Sequence, residues 1–216
     1  MPFESSEVSA PGLRERTRRA VRAELTDVAM DLFLARGFEA TTVDEIAAAA
    51  GISRRSLFRY FASKEAIIFD SLQDVGERLA EALGKRPREE DPWVALRRSF
   101  EVVTAYNVDN PERTLAFWTM LEETASLKAR HFEQLMRWQQ LLVPDIAVRL
   151  GEIDGANSGM NPDAQADLDG PCAPAVVGAA LACLDAANHA WLRSRGKADV
   201  VRLLDEAMHA VRPAEF

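Results

Sequence analysis

Cysteine and histidine are scarce in this chain, which limits the kinds of site that it can hold. The 216 residues include two cysteines and three histidines. Cys172 and Cys183 are too few for a disulfide framework or a zinc site, and we expect two reduced thiols, one on a helix and one in a loop. His131, His189 and His209 are far apart in the sequence and do not predict a metal site. We therefore expect no metal and no cofactor.

Long apolar segments and enzyme motifs are also missing. No apolar run approaches the roughly 18 residues that a membrane span requires. The first residues contain Glu4 and Glu7 and no apolar core, so they do not resemble a signal peptide. No nucleophile elbow, metal-ligand spacing or glycine-rich phosphate loop is present. We expect a cytoplasmic protein that is neither an enzyme nor bound to a membrane.

The charge is unevenly distributed along the chain. The whole chain carries a net charge of −8, whereas residues 11–64 carry ten basic and seven acidic side chains and are therefore net positive by 3. The remaining residues carry a net charge of −11. A basic segment on an acidic chain is typical of a module that meets phosphate at one end only.

Apolar residues recur at helical spacing along most of the chain, and no stretch shows the alternation of a strand. The predicted fold class is all-α, with about nine helices. These begin near residues 13, 42, 53, 63, 92, 111, 127, 175 and 199. Pro144 lies inside the helix predicted for 127–150 and is expected to kink or split it. Residues 1–12 are predicted to be a disordered tail, and residues 151–171 a long flexible loop.

Residues 42–64 predict two short helices joined by a tight turn. Thr42 and Glu45 have the spacing of a capping box that starts the first helix. Gly51 supplies a turn residue with positive φ, and Ser53 caps the second helix. This arrangement is typical of a helix-turn-helix that places its second helix in the major groove of DNA.

The second of these helices carries three arginines within six residues. A surface arginine is often only a solvated charge, but these three lie opposite Leu57 and Phe61, which we expect to be buried. Arginines near the start of the helix can donate two hydrogen bonds to guanine. Ser56 is expected to contact a base edge or a phosphate, and Arg59 a base or the backbone. The predicted DNA contacts are Arg16, Thr42, Arg54, Arg55, Ser56, Arg59, Tyr60 and Lys64.

Five short segments carry a family resemblance. They are Ala-x-x-Leu-Phe at 29–33, Arg-Gly-Phe at 36–38, Thr-Thr-Val-x-x-Ile-Ala at 41–47, Ala-Gly-Ile-Ser at 50–53 and Leu-Phe-x-Tyr-Phe-x-Ser-Lys-Glu at 57–65. In this order and spacing the run resembles the TetR family of transcriptional regulators. One position departs from the family: Phe58 stands where a tyrosine is common, and it has no hydroxyl to offer a phosphate.

The resemblance implies two domains. The first, at 13–62, would be a three-helix DNA-binding domain. The second, at 63–216, would be a helical domain that encloses a ligand pocket and dimerises through its last two long helices. Most members are repressors that leave DNA when a small molecule binds. The implied partners are therefore a palindromic operator in double-stranded DNA, a second copy of the chain and a small apolar or aromatic effector.

The pocket and the dimer interface are predicted from side-chain type. Pockets are mostly apolar with a few polar groups, although an aromatic stripe on a helix is more often core. The predicted pocket residues are Phe117, Trp118, His131, Trp138 and Asn188. Small residues allow two helices to approach closely, and the predicted interface residues are Ala179, Cys183, Ala187, Leu203 and Ala207.

Two other interpretations remain open at this point. The chain would instead be a helical adaptor or carrier that binds protein or ligand without DNA, or a regulator with no small-molecule ligand. The sequence assigns neither the effector nor the operator and its target genes. It also does not distinguish a repressor from an activator, or one dimer per operator from two.

Overall fold

The computed structural model describes residues 12–109, 111–157 and 170–212, and within these ranges it contains helices and no strands. The all-α fold class is therefore confirmed. The predicted tail, apart from Gly12, and residues 158–169 of the predicted loop lie outside the described residues. The helices are α1 (Leu13–Arg36), α2 (Val43–Ala49), α3 (Arg54–Phe58), α4 (Lys64–Ile68), α5 (Asp70–Gly84), α6 (Pro92–Ser99), α7 (Glu101–Asp109), α8 (Pro111–Glu123), α9 (Ala125–Asn157), α10 (Cys172–Arg193) and α11 (Val200–Val211).

The chain divides into two compact units between Ser71 and Leu72. In the first unit α1 packs against α2 and α4, and α2 packs against α3. Phe33, Ile46 and Leu57 are at most 1% exposed in its core. This unit extends nine residues beyond the predicted domain boundary at 62, because α4 packs with α1.

The short helices of the first unit begin where the sequence predicts. The capping box is present: the Thr42 hydroxyl accepts from the backbone N–H of Glu45, and the Glu45 carboxylate accepts from the backbone N–H of Thr42. Gly51 has a φ of +67°, which confirms the left-handed turn between α2 and α3. Ser53 and Ser63 cap α3 and α4 through their side chains.

In the second unit α10 is central and packs against α6, α8, α9 and α11. It is long and apolar enough, by length and composition, to cross a membrane. Its inner face is instead buried by the neighbouring helices, and Val177, Ala180 and Leu184 are at most 2% exposed. We therefore interpret α10 as the core helix of this unit.

Two predicted helices are each interrupted at one buried phenylalanine. The helix predicted for 63–84 divides at Phe69 into α4 and α5, and the helix predicted for 92–107 divides at Phe100 into α6 and α7. Their ψ angles are 0° and −9°, away from the usual −42° of an α-helix. The two rings are 2% and 0% exposed. Each phenylalanine departs from helical ψ while its ring is buried in its own unit, and with these two breaks the described residues form eleven helices rather than nine.

The helix that contains Pro144 is longer than predicted. α9 is continuous from Ala125 to Asn157, so Pro144 does not split it, and the other alternative, a kink, stays a prediction. Pro144 and Gln140 are both exposed, and water can therefore satisfy the carbonyl that loses its intrahelical donor. Residues 151–157 are helical, so the predicted loop starts too early, although Gly170 and Pro171 do precede α10 without helical structure.

Candidate functional site

Three arginines are exposed on α3 and on the residue after it. Leu57 and Phe61 are 1% and 3% exposed and anchor this segment in the core of the first unit. Arg54, Arg55 and Arg59 are exposed. Helical spacing places Arg55 and Arg59 opposite Leu57, whereas Arg54 lies three residues before Leu57 and is not opposite it, contrary to the sequence-based prediction. The structure therefore brings together the three arginines that the sequence predicts to read DNA, and it keeps their guanidinium groups accessible.

The environments of these arginines differ. Nη1 of Arg54 donates to Oδ2 of Asp44 at 3.0 Å, and Cζ of Arg54 lies 5.5 Å from the centroid of the Phe58 ring. Within the described ranges no side chain pairs with Arg55. Arg54 is thus held by α2 and by its own helix, whereas Arg55 is the guanidinium with the most freedom to bind a base.

Thr42 and Lys64 already make hydrogen bonds inside the first unit. The Thr42 hydroxyl donates to Oε2 of Glu45 at 2.8 Å. Two N–H groups of Lys64 donate to the carbonyl oxygens of Phe38 and Thr41 at 2.7 and 3.1 Å, and its Nζ lies 4.1 Å from the centroid of the Phe38 ring. A phosphate contact would use the third hydrogen of Lys64, and the Thr42 hydroxyl would have to release Glu45.

The carboxylate of Glu45 links three parts of this surface. Its pKa is lowered, first by the backbone N–H of Thr42, then by the Thr42 hydroxyl and by Arg36. Nη1 of Arg36 donates to Oε1 of Glu45 at 3.0 Å. Glu45 therefore remains ionised well below neutral pH and keeps the start of α2 fixed against the end of α1.

The remaining predicted contacts are at the edges of this surface. Tyr60 is half-buried, and Cζ of Arg59 lies 6.0 Å from the centroid of its ring. Ser56 is half-buried, and its Oγ lies 3.0 Å from Oγ of Ser53. Arg16 is exposed in the first turns of α1.

Three of the five predicted pocket residues meet in the second unit. The ring centroids of Trp118 and Phe117 are 5.6 Å apart, and those of Trp118 and His131 are 5.2 Å apart. The ring of His189 also contacts Trp118, at 5.3 Å. We call Phe117, Trp118, His131 and His189 the aromatic cluster.

Two carboxylates that the predicted set lacks hold the histidines of the aromatic cluster. Nε2 of His131 lies 2.9 Å from Oδ1 of Asp185, and Nε2 of His189 lies 3.0 Å from Oε1 of Glu122. Glu122 follows Trp118 by four residues, which places both on one helix face. Their i, i+4 spacing is the sequence signal that could have found Glu122.

The other two predicted pocket residues lie elsewhere. Asn188 is buried, and its Oδ1 accepts from Nδ2 of Asn107 at 2.8 Å. Trp138 is 5% exposed in the core, with its indole ring directly over Gly76. In the part of the chain that the structure describes, no group of three or more histidine, cysteine or acidic side chains is arranged to hold a metal.

Two surface grooves in the second unit contain none of the five predicted pocket residues. Trp93 and Arg212 line both grooves. One groove continues along Arg97, Asp205 and Met208, and the other continues along Val176 and Ala179.

The predicted interface residues fall into two groups. Cys183 and Ala187 are 3% and 1% exposed and belong to the core of their own chain, where Sγ of Cys183 donates to the carbonyl oxygen of Ala207 at 3.4 Å. Burial also raises the pKa of the Cys183 thiol. Their side chains therefore present no surface to a second chain. Ala179, Leu203 and Ala207 are half-buried and remain accessible.

The sequence of the first unit matches that of a known protein family. Residues 25–70 match the sequence model of a family described as bacterial regulatory proteins, tetR family. The matched residues include α2, α3 and α4, and hence the turn at Gly51 and the three arginines.

Whole-chain comparisons extend the similarity beyond this segment. The chain is 33% identical over 156 residues to the HTH-type transcriptional regulator TcmR of Streptomyces glaucescens, which covers 69% of each protein. It is 50% identical over 52 residues to the HTH-type transcriptional repressor KstR2 of Rhodococcus jostii, which covers 24% of this chain and 26% of the repressor. Its fold is similar to that of Thermus thermophilus FadR in complex with lauroyl-CoA, with a TM-score of 0.53, 22% identity and coverage of 89% and 97%. The chain therefore belongs to the TetR family of DNA-binding transcriptional regulators.

Proposed function

We propose that this regulator is a homodimeric repressor that binds a palindromic operator through α3 and is released by a small apolar or aromatic effector. The observation that carries the proposal is the group of exposed arginines, Arg54, Arg55 and Arg59, on a segment that the buried side chains of Leu57 and Phe61 anchor. It lies in the part of the chain with a positive net charge, while the rest is strongly acidic. An operator phosphate backbone would attract the first part and repel the second.

In this proposal the arginines read bases and their neighbours bind phosphates. Arg55 is best suited to a bidentate contact with guanine because its guanidinium is not engaged by another described side chain. Arg59 would contact a second base or the backbone. The proposed contacts to phosphate or to the edge of the site are Arg16, Thr42, Ser56, Tyr60 and Lys64.

Replacement of Arg55 by alanine is expected to weaken operator binding by about 1–3 kcal/mol and to relax specificity at one base pair per half-site. The loss is that of a bidentate contact to a base edge. It is measured by fluorescence anisotropy with an operator and with single-base variants of it, at several salt concentrations. Arg137→Ala removes the same charge from an exposed position on α9 and is the matched control.

If Arg55→Ala kept the affinity and the base preference of the parent chain, Arg55 would be excluded from base reading.

The salt dependence of binding tests whether the chain contacts DNA phosphates at all. Binding through several phosphates falls steeply as salt is added. An affinity that did not change with salt concentration would favour the adaptor interpretation over operator recognition.

The proposed dimer uses the outer faces of α10 and α11. Ala182 and Ala186 are exposed on α10, and their small side chains would allow close approach of a second copy. Ala179, Leu203 and Ala207 would complete the surface. Two α10 helices and two α11 helices would form a four-helix interface around a twofold axis. Such a dimer requires an operator with the same twofold symmetry.

The proposed effector site lies at the aromatic cluster in the second unit. Two buried polar atoms have no hydrogen-bond partner among the described residues: Nδ1 of His131 in the cluster and Oγ1 of Thr114, four residues before Trp118 on α8. A buried polar atom without a partner costs about 1–3 kcal/mol. A molecule that combined an apolar body with a hydrogen-bonding group would satisfy such atoms while packing against Trp118.

Release from DNA would follow if this molecule bound the form of the dimer whose recognition helices do not fit the operator. An effector shifts the equilibrium only by its difference in affinity for the two forms. Lauroyl-CoA, which the Thermus thermophilus FadR structure contains, joins a long apolar chain to polar groups and is a suitable first probe. Because the proposed operator binding does not depend on this step, the two parts of the proposal are tested separately.

A further inference from the structure

Phe58 is an apolar ring in the middle of a cationic surface. Its side chain is 43% exposed, whereas Leu57 and Phe61 on the same short segment are at most 3% exposed. At about 100° per residue, Phe58 projects between Arg54 and Arg55. The ring is therefore part of the surface that carries the proposed base-reading arginines, and not part of the core.

The chemistry of this ring restricts what it can recognise. A phenylalanine has no hydrogen-bond donor, so it cannot bind a phosphate as a tyrosine does. In the major groove, the apolar group on the base edges is the C5-methyl group of thymine, and phenylalanine is one of the side chains that contact it. An exposed phenylalanine among arginines is suited to that contact.

The ring is also held in place before DNA arrives. Cζ of Arg54 lies 5.5 Å from its centroid, within the distance of a cation–π interaction. Nη1 of Arg54 is in turn 3.0 Å from Oδ2 of Asp44 on α2. Asp44 and Arg54 therefore act as positioning residues that support one side of the ring and leave the rest of it accessible.

We propose that Phe58 reads the C5-methyl group of one thymine in each half-site of the operator. This inference rests on the proposed operator binding and adds a second mode of recognition to it. The arginines select bases through hydrogen bonds, and Phe58 selects thymine through apolar contact. Thymine differs from uracil by the methyl group alone, so replacing one by the other isolates this contact.

The test is a scan in which each thymine of an operator, obtained by selection from random duplex DNA, is replaced singly by uracil. Burial of one methyl group contributes about 0.8 kcal/mol, a factor of about four in affinity. The parent chain is expected to lose about fourfold at one position per half-site, and the Phe58→Ala chain is expected to lose nothing there. Phe58→Leu and Phe58→Tyr retain apolar surface and are expected to retain sensitivity at that position.

Three results would overturn the inference: no thymine at a fixed position in the selected half-site, no position sensitive to uracil in the parent chain, or the same sensitivity in the parent and Phe58→Ala. Circular dichroism establishes that each variant is folded, and Phe58→Leu supplies the comparison if Phe58→Ala binds too weakly. Arg55→Ala is expected to keep the uracil sensitivity, which separates the two modes of reading. A folded parent chain that selected no DNA would instead overturn the proposed operator binding itself.

Discussion

Replacement of Arg149 by methionine is expected to lower the free energy of unfolding by about 1.5–3 kcal/mol. Arg149 lies on α9 and is 2% exposed. Its Nη2 donates to the carbonyl oxygens of Leu83 and Arg86 at 3.0 and 3.3 Å, and its Nη1 donates to that of Pro87 at 2.5 Å. These carbonyls belong to the last turn of α5 and the segment after it. Two of them also accept from backbone N–H groups, that of Leu83 from Arg86 and that of Pro87 from Glu90.

Methionine fills similar space but donates nothing, so the three carbonyl oxygens would lose a charged hydrogen-bond partner. The carboxylate of Asp145, which accepts from Nε of Arg149 at 2.5 Å, is 35% exposed and would be solvated in the variant. The loss therefore comes mainly from the charged hydrogen bonds to these carbonyls, of which the bond to Leu83 is buried. Denaturant unfolding followed by circular dichroism measures it.

Arg137→Met is the control for this prediction because Arg137 lies exposed on the same helix. Its free energy of unfolding is expected to stay within about 0.5 kcal/mol of the parent value. A loss for Arg149→Met no larger than that of the control would mean that the guanidinium does not hold the end of α5.

Replacement of Gly76 by alanine is expected to destabilise the second unit by about 2–3 kcal/mol. A Cβ atom at this position would lie 2.5 Å from Cδ1 and 2.8 Å from Nε1 of Trp138, and 3.1 Å from Cδ1 of Leu141. The indole of Trp138 is buried, so moving it aside would disrupt its packing and cost free energy. The clash outweighs the roughly 1 kcal/mol that alanine gains over glycine inside a helix.

Gly84 provides the matched change on the same helix. A Cβ atom there would meet nothing within 4 Å, so Gly84→Ala is expected to leave stability unchanged or slightly raised. Thermal unfolding of the two variants gives the comparison. A Gly76→Ala chain as stable as Gly84→Ala would show that α5 and Trp138 do not pack as closely as described.

Local signals predicted the first unit well. Its helix ends depend on contacts between residues only three or four positions apart, so the sequence alone predicts them. The residues concerned are Thr42, Gly51, Ser53 and Ser63. The position of Arg55 and Arg59 opposite Leu57 follows from helical spacing alone. The bonds from Lys64 to the carbonyl oxygens of residues 38 and 41 span more than 20 residues, and no local pattern indicates them.

In the second unit, helix breaks and the inner faces of helices depend on tertiary packing, which the sequence pattern did not predict. The breaks occur at Phe69 and Phe100, two buried residues with no glycine or proline beside them, so no local signal marks them. α10 carries alanine on several sides, so the spacing of its apolar residues did not distinguish the inner face from the outer face. Cys183 and Ala187 lie on the inner face. Arg149 has an acidic partner at i−4, a pattern that is more typical of an exposed pair.

Selection of binding sites from random duplex DNA by the full chain tests the central claim most directly. The account predicts enrichment of a palindrome whose half-site centres are about one helical turn, ~34 Å, apart, with guanine and thymine at fixed positions in each half. Failure of well-folded protein to enrich any sequence at low salt, or enrichment of a motif without twofold symmetry, would contradict it.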